Sequence, residues 1–130
     1  MQFMSEIILK EESYELIGIC MEIHRELGMG FKEIVYKDAL EIELKKDKSI
    51  LYEREKAFNI SYEEIVLPHR FNADFFLFGS IILEVKAVAH VPTDAFKQTI
   101  NYLKASQVKL GILVNFGADK LEFQRIICIY

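Results

Sequence analysis

Several residue types are scarce in this chain of 130 residues. It has no tryptophan, two prolines, six glycines and two cysteines. Cys20 and Cys128 lie in apolar segments rather than in a spaced set, which argues against a disulfide framework and against a cysteine-based zinc site. We expect both to be buried thiols of a protein in a reducing compartment.

Long apolar runs and a secretory signal are also missing. The longest apolar stretches fall far below the ~20 residues that a membrane span requires. The first six residues have no basic stretch followed by an apolar core and a cleavage site, so no secretory signal is predicted. The expectation is therefore a soluble cytoplasmic protein that does not bind membranes.

Positive charge is in short supply, because 16 Lys and Arg face 20 Asp and Glu and give a net charge of −4. The excess is uneven: residues 1–65 hold 9 basic and 15 acidic side chains, and residues 66–130 hold 7 and 5. A protein that coats DNA without specificity needs a strongly basic face, and this composition excludes one. Any surface that faces phosphate should lie mainly in the C-terminal half.

The remaining composition, 52% hydrophobic, supports one folded domain over residues 1–130. Helical spacing of apolar residues predicts helices over 14–27, 31–47 and 92–105. Runs rich in β-branched and aromatic residues predict strands over 50–60, 65–67, 74–78, 81–88, 108–115 and 121–129. The predicted fold class is α/β, with a mixed central β-sheet flanked by helices.

The predicted strand 81–88 carries two charges inside an apolar run. Alternation places Glu84 and Lys86 on the same face. Because an unpaired buried ion costs several kcal/mol, these side chains need partners, water or a metal. A hairpin through Gly79 and Ser80 would bring Asp74 alongside them, so that two carboxylates and a lysine converge.

Such a group suits metal-assisted hydrolysis of a phosphodiester. Mg²⁺ or Mn²⁺ is typically held by one or two carboxylates together with water and substrate phosphate. Lys86 would orient the attacking water or stabilise developing charge. The alternative is a half-exposed edge strand with a surface ion pair.

Two further sets of residues support the site less strongly. Glu33 shares a helical stripe with Tyr36, Leu40 and Leu44, where a core residue is expected. It is either a functional acid or a first-turn carboxylate favoured by the helix dipole. Gln98 and Tyr102 lie four residues apart on the third helix, where they either orient a ligand or form a polar pair in the core.

The segment Gly30-Phe31-Lys32-Glu33-Ile34-Val35-Tyr36 fits Gly-x-x-Glu-x-x-Tyr, and the chain resembles the GxxExxY family, which is placed in the PD-(D/E)XK nuclease superfamily. The resemblance runs from about residue 14 to residue 128 and includes 73–74, 83–88, 98, 102–104 and 110–117. It implies a core in the order α-β-β-β-α-β, here with an extra N-terminal helix and an extra C-terminal strand.

The resemblance also implies roles for the residues already singled out. Asp74 and Glu84 would bind the metal, with Glu33 as the third acid of the metal site. Lys86 would be catalytic, and Gln98 and Tyr102 would support it. Ala73 stands where relatives carry proline, a variation that leaves the acid intact.

Two functions of different classes follow. The first is a Mg²⁺- or Mn²⁺-dependent nuclease that hydrolyses nucleic acid, with DNA favoured over RNA. The second is a non-catalytic module that keeps the nuclease-like fold and serves as a homodimer or protein-binding surface. The ten Phe and six Tyr residues supply enough aromatic surface for such an interface.

Overall fold

Three helices and five strands follow one another in the computed structural model, which describes residues 8–129. They are α1 (Lys10–Leu27), α2 (Glu33–Lys46), β1 (Tyr52–Tyr62), β2 (Ile65–Leu77), β3 (Ile81–Lys86), α3 (Thr93–Ser106), β4 (Leu110–Asn115) and β5 (Glu122–Ile127). This order confirms the predicted α/β class and the α-β-β-β-α-β core, with one helix before it and one strand after it.

The strands form one mixed sheet in the order β1-β2-β3-β4-β5. All neighbours are antiparallel except β3 and β4, which are parallel and are connected through α3. A parallel pair needs such a crossover, because the chain must return to the same end of the sheet before the second strand begins. The crossover places α3 on one face of the sheet, where Leu103 packs with Ile82 of β3.

The sheet separates two hydrophobic cores. The buried stripes of α1 and α2 pack with one face of β3 and β4, including Leu83 and Val85. Leu103 of α3 packs on the other face with Ile82. The alternation predicted for 81–88 is thus confirmed, and Glu84 follows the same alternation as Ile82, on the α3 side.

The two strands predicted over 65–67 and 74–78 are one strand, so that prediction was wrong. The sequence prediction ends a strand just before Pro68, yet Pro68 lies inside β2. It falls at a register irregularity, where the partner strand shifts between Asn59 and Ser61. Because proline is tolerated where the ladder is interrupted, its missing N–H costs no hydrogen bond here.

The paired strands β1 and β2 form a long ribbon that changes faces along its length. In β2, Phe75 and Leu77 pack in the α1–α2 core, whereas Phe71 and Ala73 pack in the α3 core. The change falls at Asp74. Glu55, which the β1–β2 register places opposite Asp74, has a positive φ of 54°.

The two cysteines are free thiols. The predicted burial is wrong for Cys128, which is half-buried near the C-terminal end of the described residues. Cys20 is buried, and burial raises the pKa of its thiol to about 12. No helix within residues 8–129 combines the length and the apolar character needed to cross a bilayer.

The segments that follow the parallel strands β3 and β4 pack closely against each other. The amide of Asn115 donates to Val88 O at 2.9 Å, and its oxygen accepts from Val88 N at 2.9 Å and from Gly117 N at 3.0 Å. A Cβ atom on Gly117 would lie 2.3 Å from Val88 N and 2.4 Å from Val88 O. Only glycine fits at position 117, because a Cβ atom there would clash with backbone atoms of Val88.

Gly117→Ala is therefore expected to lower the free energy of unfolding by about 1–3 kcal/mol, the usual cost of overpacking a rigid site. The matched control is Gly18→Ala in α1, where an added Cβ meets nothing within 4 Å. It should raise stability by about 0.5–1 kcal/mol, since alanine suits a helix better than glycine. Urea unfolding measures both, and equal effects of the two variants would contradict the packing described.

Candidate active site

The turn before α2 is fixed by the glycine and the tyrosine of the Gly-x-x-Glu-x-x-Tyr segment. Gly30 has a φ of 112°, in the region that favours glycine. The Tyr36 hydroxyl donates to Gly28 O at 2.6 Å and accepts from Phe31 N at 3.3 Å. The Tyr36 ring stacks on Phe116 at 4.5 Å between centroids. These contacts fix where α2 begins relative to the end of β4.

Asp74 and Glu84 come together where β2 and β3 stop pairing. The ladder ends at Phe75 opposite Leu83, and the same register places Asp74 opposite Glu84. Glu84 Oε2 accepts from Asp74 N at 3.0 Å, and Asp74 Oδ2 accepts from Val85 N at 2.7 Å. The two carboxylates thus bind backbone N–H groups at the point where the strands part.

Burial makes this pair of acids costly. Glu84 is 5% exposed, and the side chain of Asp74 is 14% exposed. Desolvation, followed by the charge of Asp74, raises the pKa of Glu84 to about 8. In the protein without a bound cation, Glu84 therefore carries a proton through much of the neutral range. A site that resists holding two negative charges gains most from a cation.

Lys37 supplies one positive charge, and sequence reasoning missed it. Its Nζ lies 2.9 Å from Asp74 Oδ1 and 2.7 Å from Glu55 Oε2, with a side chain 12% exposed. Burial lowers the pKa of Lys37, but hydrogen bonds and charges from Glu55 and Asp74 outweigh it and raise the pKa overall. Lys37 follows Glu33 by one helical turn, and this spacing could have indicated that Lys37 lies on the same side of α2 as the predicted acid.

Lys86 and Tyr102 lie close to the acid pair. The charge of Lys86 lowers the pKa of Glu84, and its ammonium makes no salt bridge within residues 8–129. Desolvation, together with the charges of Glu84 and Asp74, raises the pKa of Tyr102. Gln98 is exposed one turn before Tyr102 on α3 and lines the same groove.

Glu33 stands apart from this group. It is half-buried in the first turn of α2. Across residues 8–129, no three acidic, histidine or cysteine side chains are arranged to hold a metal ion together. The role of Glu33 as a third acid stays a prediction.

The residues present fit a hard divalent cation. Asp74 and Glu84 offer adjacent carboxylate oxygens, the donor type that Mg²⁺ and Mn²⁺ take. Two protein carboxylates are enough for Mg²⁺, which usually keeps several waters and adds substrate phosphate. The raised pKa of Glu84 and the ammonium of Lys37 show that the acid pair is compensated by positive charge or by a proton.

Comparison with known proteins agrees with this fold. A family model described as the PD-(D/E)XK nuclease superfamily matches residues 10–126. The crystal structure of SSO0001 is similar, with a TM-score of 0.56 and 24% sequence identity over 73% of this chain. The chain spans about half the length of that protein, covering 50% of it. At this identity the likeness supports the fold alone. No curated protein matches the chain.

The raised pKa of Glu84 predicts a pH-dependent stability. An unperturbed glutamate has a pKa of 4.5, so between about pH 4.5 and pH 8 the folded, metal-free protein holds a proton that the unfolded chain releases. Stability should fall as pH rises through this window, by up to about 1.4 kcal/mol per pH unit. Glu84→Gln should remove the fall and keep an oxygen for the N–H of Asp74.

Urea unfolding in EDTA at several pH values measures this difference, with the exposed Glu22→Gln as the control for loss of one charge. We expect the Glu84→Gln variant to gain on the wild type steadily as pH rises. Parallel stability curves for the two proteins would contradict the burial and the charge coupling described for Glu84.

Proposed function

This chain belongs to the PD-(D/E)XK nuclease superfamily, and on that premise we propose that it is a metal-dependent nuclease that hydrolyses phosphodiester bonds of nucleic acid. The observation that carries the proposal is the meeting of Asp74 and Glu84 at the fork of β2 and β3. Lys86 lies two residues beyond Glu84 on the same face of β3. A purely structural acid pair has no need of a third charged group there.

In the proposed site, Asp74 and Glu84 hold Mg²⁺ or Mn²⁺. When bound, this cation would polarise the phosphoryl group and lower the pKa of water. The N–H groups of Asp74 and Val85 fix one oxygen of each carboxylate. The other oxygen of Asp74, Oδ1, is held by Lys37 at 2.9 Å, so the cation would displace this ammonium to use it.

The other proposed roles use what each side chain can donate or accept. Lys86 orients the attacking water and offsets negative charge at the phosphate, which suits an ammonium that makes no salt bridge within residues 8–129. Gln98 and Tyr102 position the substrate from α3. Glu33 assists from the start of α2, as the predicted third acid.

The proposed function includes a family group, a partner and a compartment. We place the chain in the GxxExxY group of the superfamily, on the turn that Gly30 and Tyr36 fix. The partner is nucleic acid, with DNA favoured over RNA, and the compartment is the cytoplasm. Residues 1–130 act as one domain.

A second function is favoured by an apolar groove between α1 and β5. Its walls include Tyr14, Met21 and Phe123, which are 83%, 43% and 44% exposed. A surface of this kind suits a homodimer or a protein partner. As a non-catalytic module, the chain would have no reason to bind Mn²⁺ at the acid pair.

The roles of Asp74 and Lys86 are separable. Asp74→Asn should abolish saturable Mn²⁺ binding in calorimetric titration, because it removes one of two anionic ligands. Lys86→Ala should keep Mn²⁺ binding and lose cleavage by at least about a hundredfold, the usual size of a positioned proton-transfer or charge-stabilising group. The exposed Lys45→Ala is the control, and full activity in Glu84→Ala would overturn the proposal.

Lys37 is expected to compete with the cation for Asp74. Charges about 4 Å apart near a protein surface interact by about 4 kcal/mol, so Lys37→Met should tighten Mn²⁺ binding by at least about tenfold. The metal-free protein should lose stability, because Asp74 and Glu55 lose their shared partner. Titration of Lys37→Met beside the exposed Lys45→Met measures this, and weaker Mn²⁺ binding would show that Lys37 instead holds Asp74 in a binding geometry.

A further inference from the structure

We infer that the groove between α3 and the β1–β2 ribbon binds an unpaired nucleotide next to the bond that is cut, so that the substrate class is single-stranded or locally melted nucleic acid. The inference rests on the proposed nuclease function and names its substrate. It commits the groove to one occupant, whose base lies in the groove and whose phosphate lies towards the acid pair.

The groove has the size and the position that this occupant requires. Its volume is about 490 Å³, within the ~300–1,000 Å³ that small ligands occupy. Ile60 and Phe71 form the ribbon side, and Lys97, Gln98 and Asn101 line it from α3. A pocket of this volume is large enough for one nucleotide.

Tyr102 joins the groove to the proposed catalytic centre. It lines the groove, and its ring packs against the hydrophobic cluster that contains Ala73, the residue before Asp74. A nucleotide held against Tyr102 would therefore have its phosphate towards the acid pair.

The ring of Tyr102, which lines the groove, is held by an aromatic stack beneath it. Tyr102 and Phe71 are 4.0 Å apart between ring centroids and 8° from parallel, and Phe58 stacks on Phe71 at 5.2 Å. Phe71 is 7% exposed and backs Tyr102, so a base would stack on the half-buried ring of Tyr102, and a stacked base of a single strand contributes about 1–3 kcal/mol. In a duplex the base faces are covered by neighbouring pairs and are not available.

The low positive charge of the groove also favours an unpaired nucleotide over a duplex. The whole chain has a net charge of −4, and the charged residues that line the groove are one cation, Lys97, and one anion, Asp94. Duplex binding draws most of its strength from neutralised phosphates, and this surface neutralises few. The amides of Gln98 and Asn101 can instead hydrogen-bond the edge of an unpaired base.

The test uses the full chain in EDTA, so that binding is separated from metal chemistry. The probe is a short DNA strand with one 2-aminopurine, whose fluorescence reports stacking, either alone or annealed to its complement. An RNA strand of the same sequence distinguishes the two sources of an unpaired base, and binding of either supports the inference. The test variant is Asn101→Leu, and Asn59→Leu makes the same change at an exposed position of β1 that does not line the groove.

We expect the single strand to bind at least about tenfold more tightly than the duplex. Asn101→Leu should weaken single-strand binding by about tenfold, the value of one good base contact, and Asn59→Leu should leave it unchanged. Equal binding of duplex and single strand, or equal behaviour of the two variants, would overturn the inference.

The two proposals fail in different ways. If the groove does not discriminate but Lys86→Ala still loses cleavage, the nuclease function stands and only the substrate class falls. If the groove binds single strands and no cleavage occurs with Mn²⁺, the nuclease function falls and the binding site stands.

Discussion

Two carboxylates that face each other across neighbouring antiparallel strands impose the main constraint on this structure. Asp74 and Glu84 each accept a backbone N–H at the fork of β2 and β3, and so they complete hydrogen bonding where the ladder ends. Like charges in a buried place are unfavourable unless a proton or a cation compensates them. The ammonium of Lys37 compensates the charge of Asp74, and the raised pKa of Glu84 lets a proton neutralise the second acid. A divalent ion would compensate both acids more strongly.

The surrounding fold serves to hold that pair in place. The β1–β2 ribbon changes faces at Asp74. The part of β2 before Asp74 packs in the α3 core, and the part after it packs in the α1–α2 core. On the other side, the bonds of Tyr36 to Gly28 and Phe31 fix the start of α2. One turn further along α2, Lys37 reaches Asp74. The tyrosine of the Gly-x-x-Glu-x-x-Tyr segment thus acts through packing and hydrogen bonding, some distance from the acids.

Much of this arrangement could be predicted from local sequence patterns. Alternation in 81–88 correctly predicted that Leu83 and Val85 face away from Glu84, because one face of that strand is buried against two helices. The meeting of Asp74 with Glu84 also followed from the hairpin, since a short connection fixes the register of its strands. Asparagine is common where a strand turns into a loop, and Asn115 stabilises such a turn here, since its side-chain oxygen accepts from Gly117 N.

Other features depend on contacts between residues far apart in sequence. The ends predicted at Pro68 were wrong, because a proline at a register irregularity breaks no bond and leaves β2 continuous. Lys37 lies beside the buried stripe of α2 and not on it, so its contact with Glu55 and Asp74 depends on how α2 packs against the ribbon. The proposed role of Glu33 in the metal site has no such contact behind it.

The most direct measurement is anomalous X-ray diffraction from crystals of the protein soaked in Mn²⁺. We predict one strong peak between the carboxylates of Asp74 and Glu84, at about 2.0–2.2 Å from an oxygen of each, with the Lys37 ammonium moved away from Asp74. Strong Mn²⁺ peaks elsewhere, with the Lys37–Asp74 bond intact and no peak between the two acids, would contradict it.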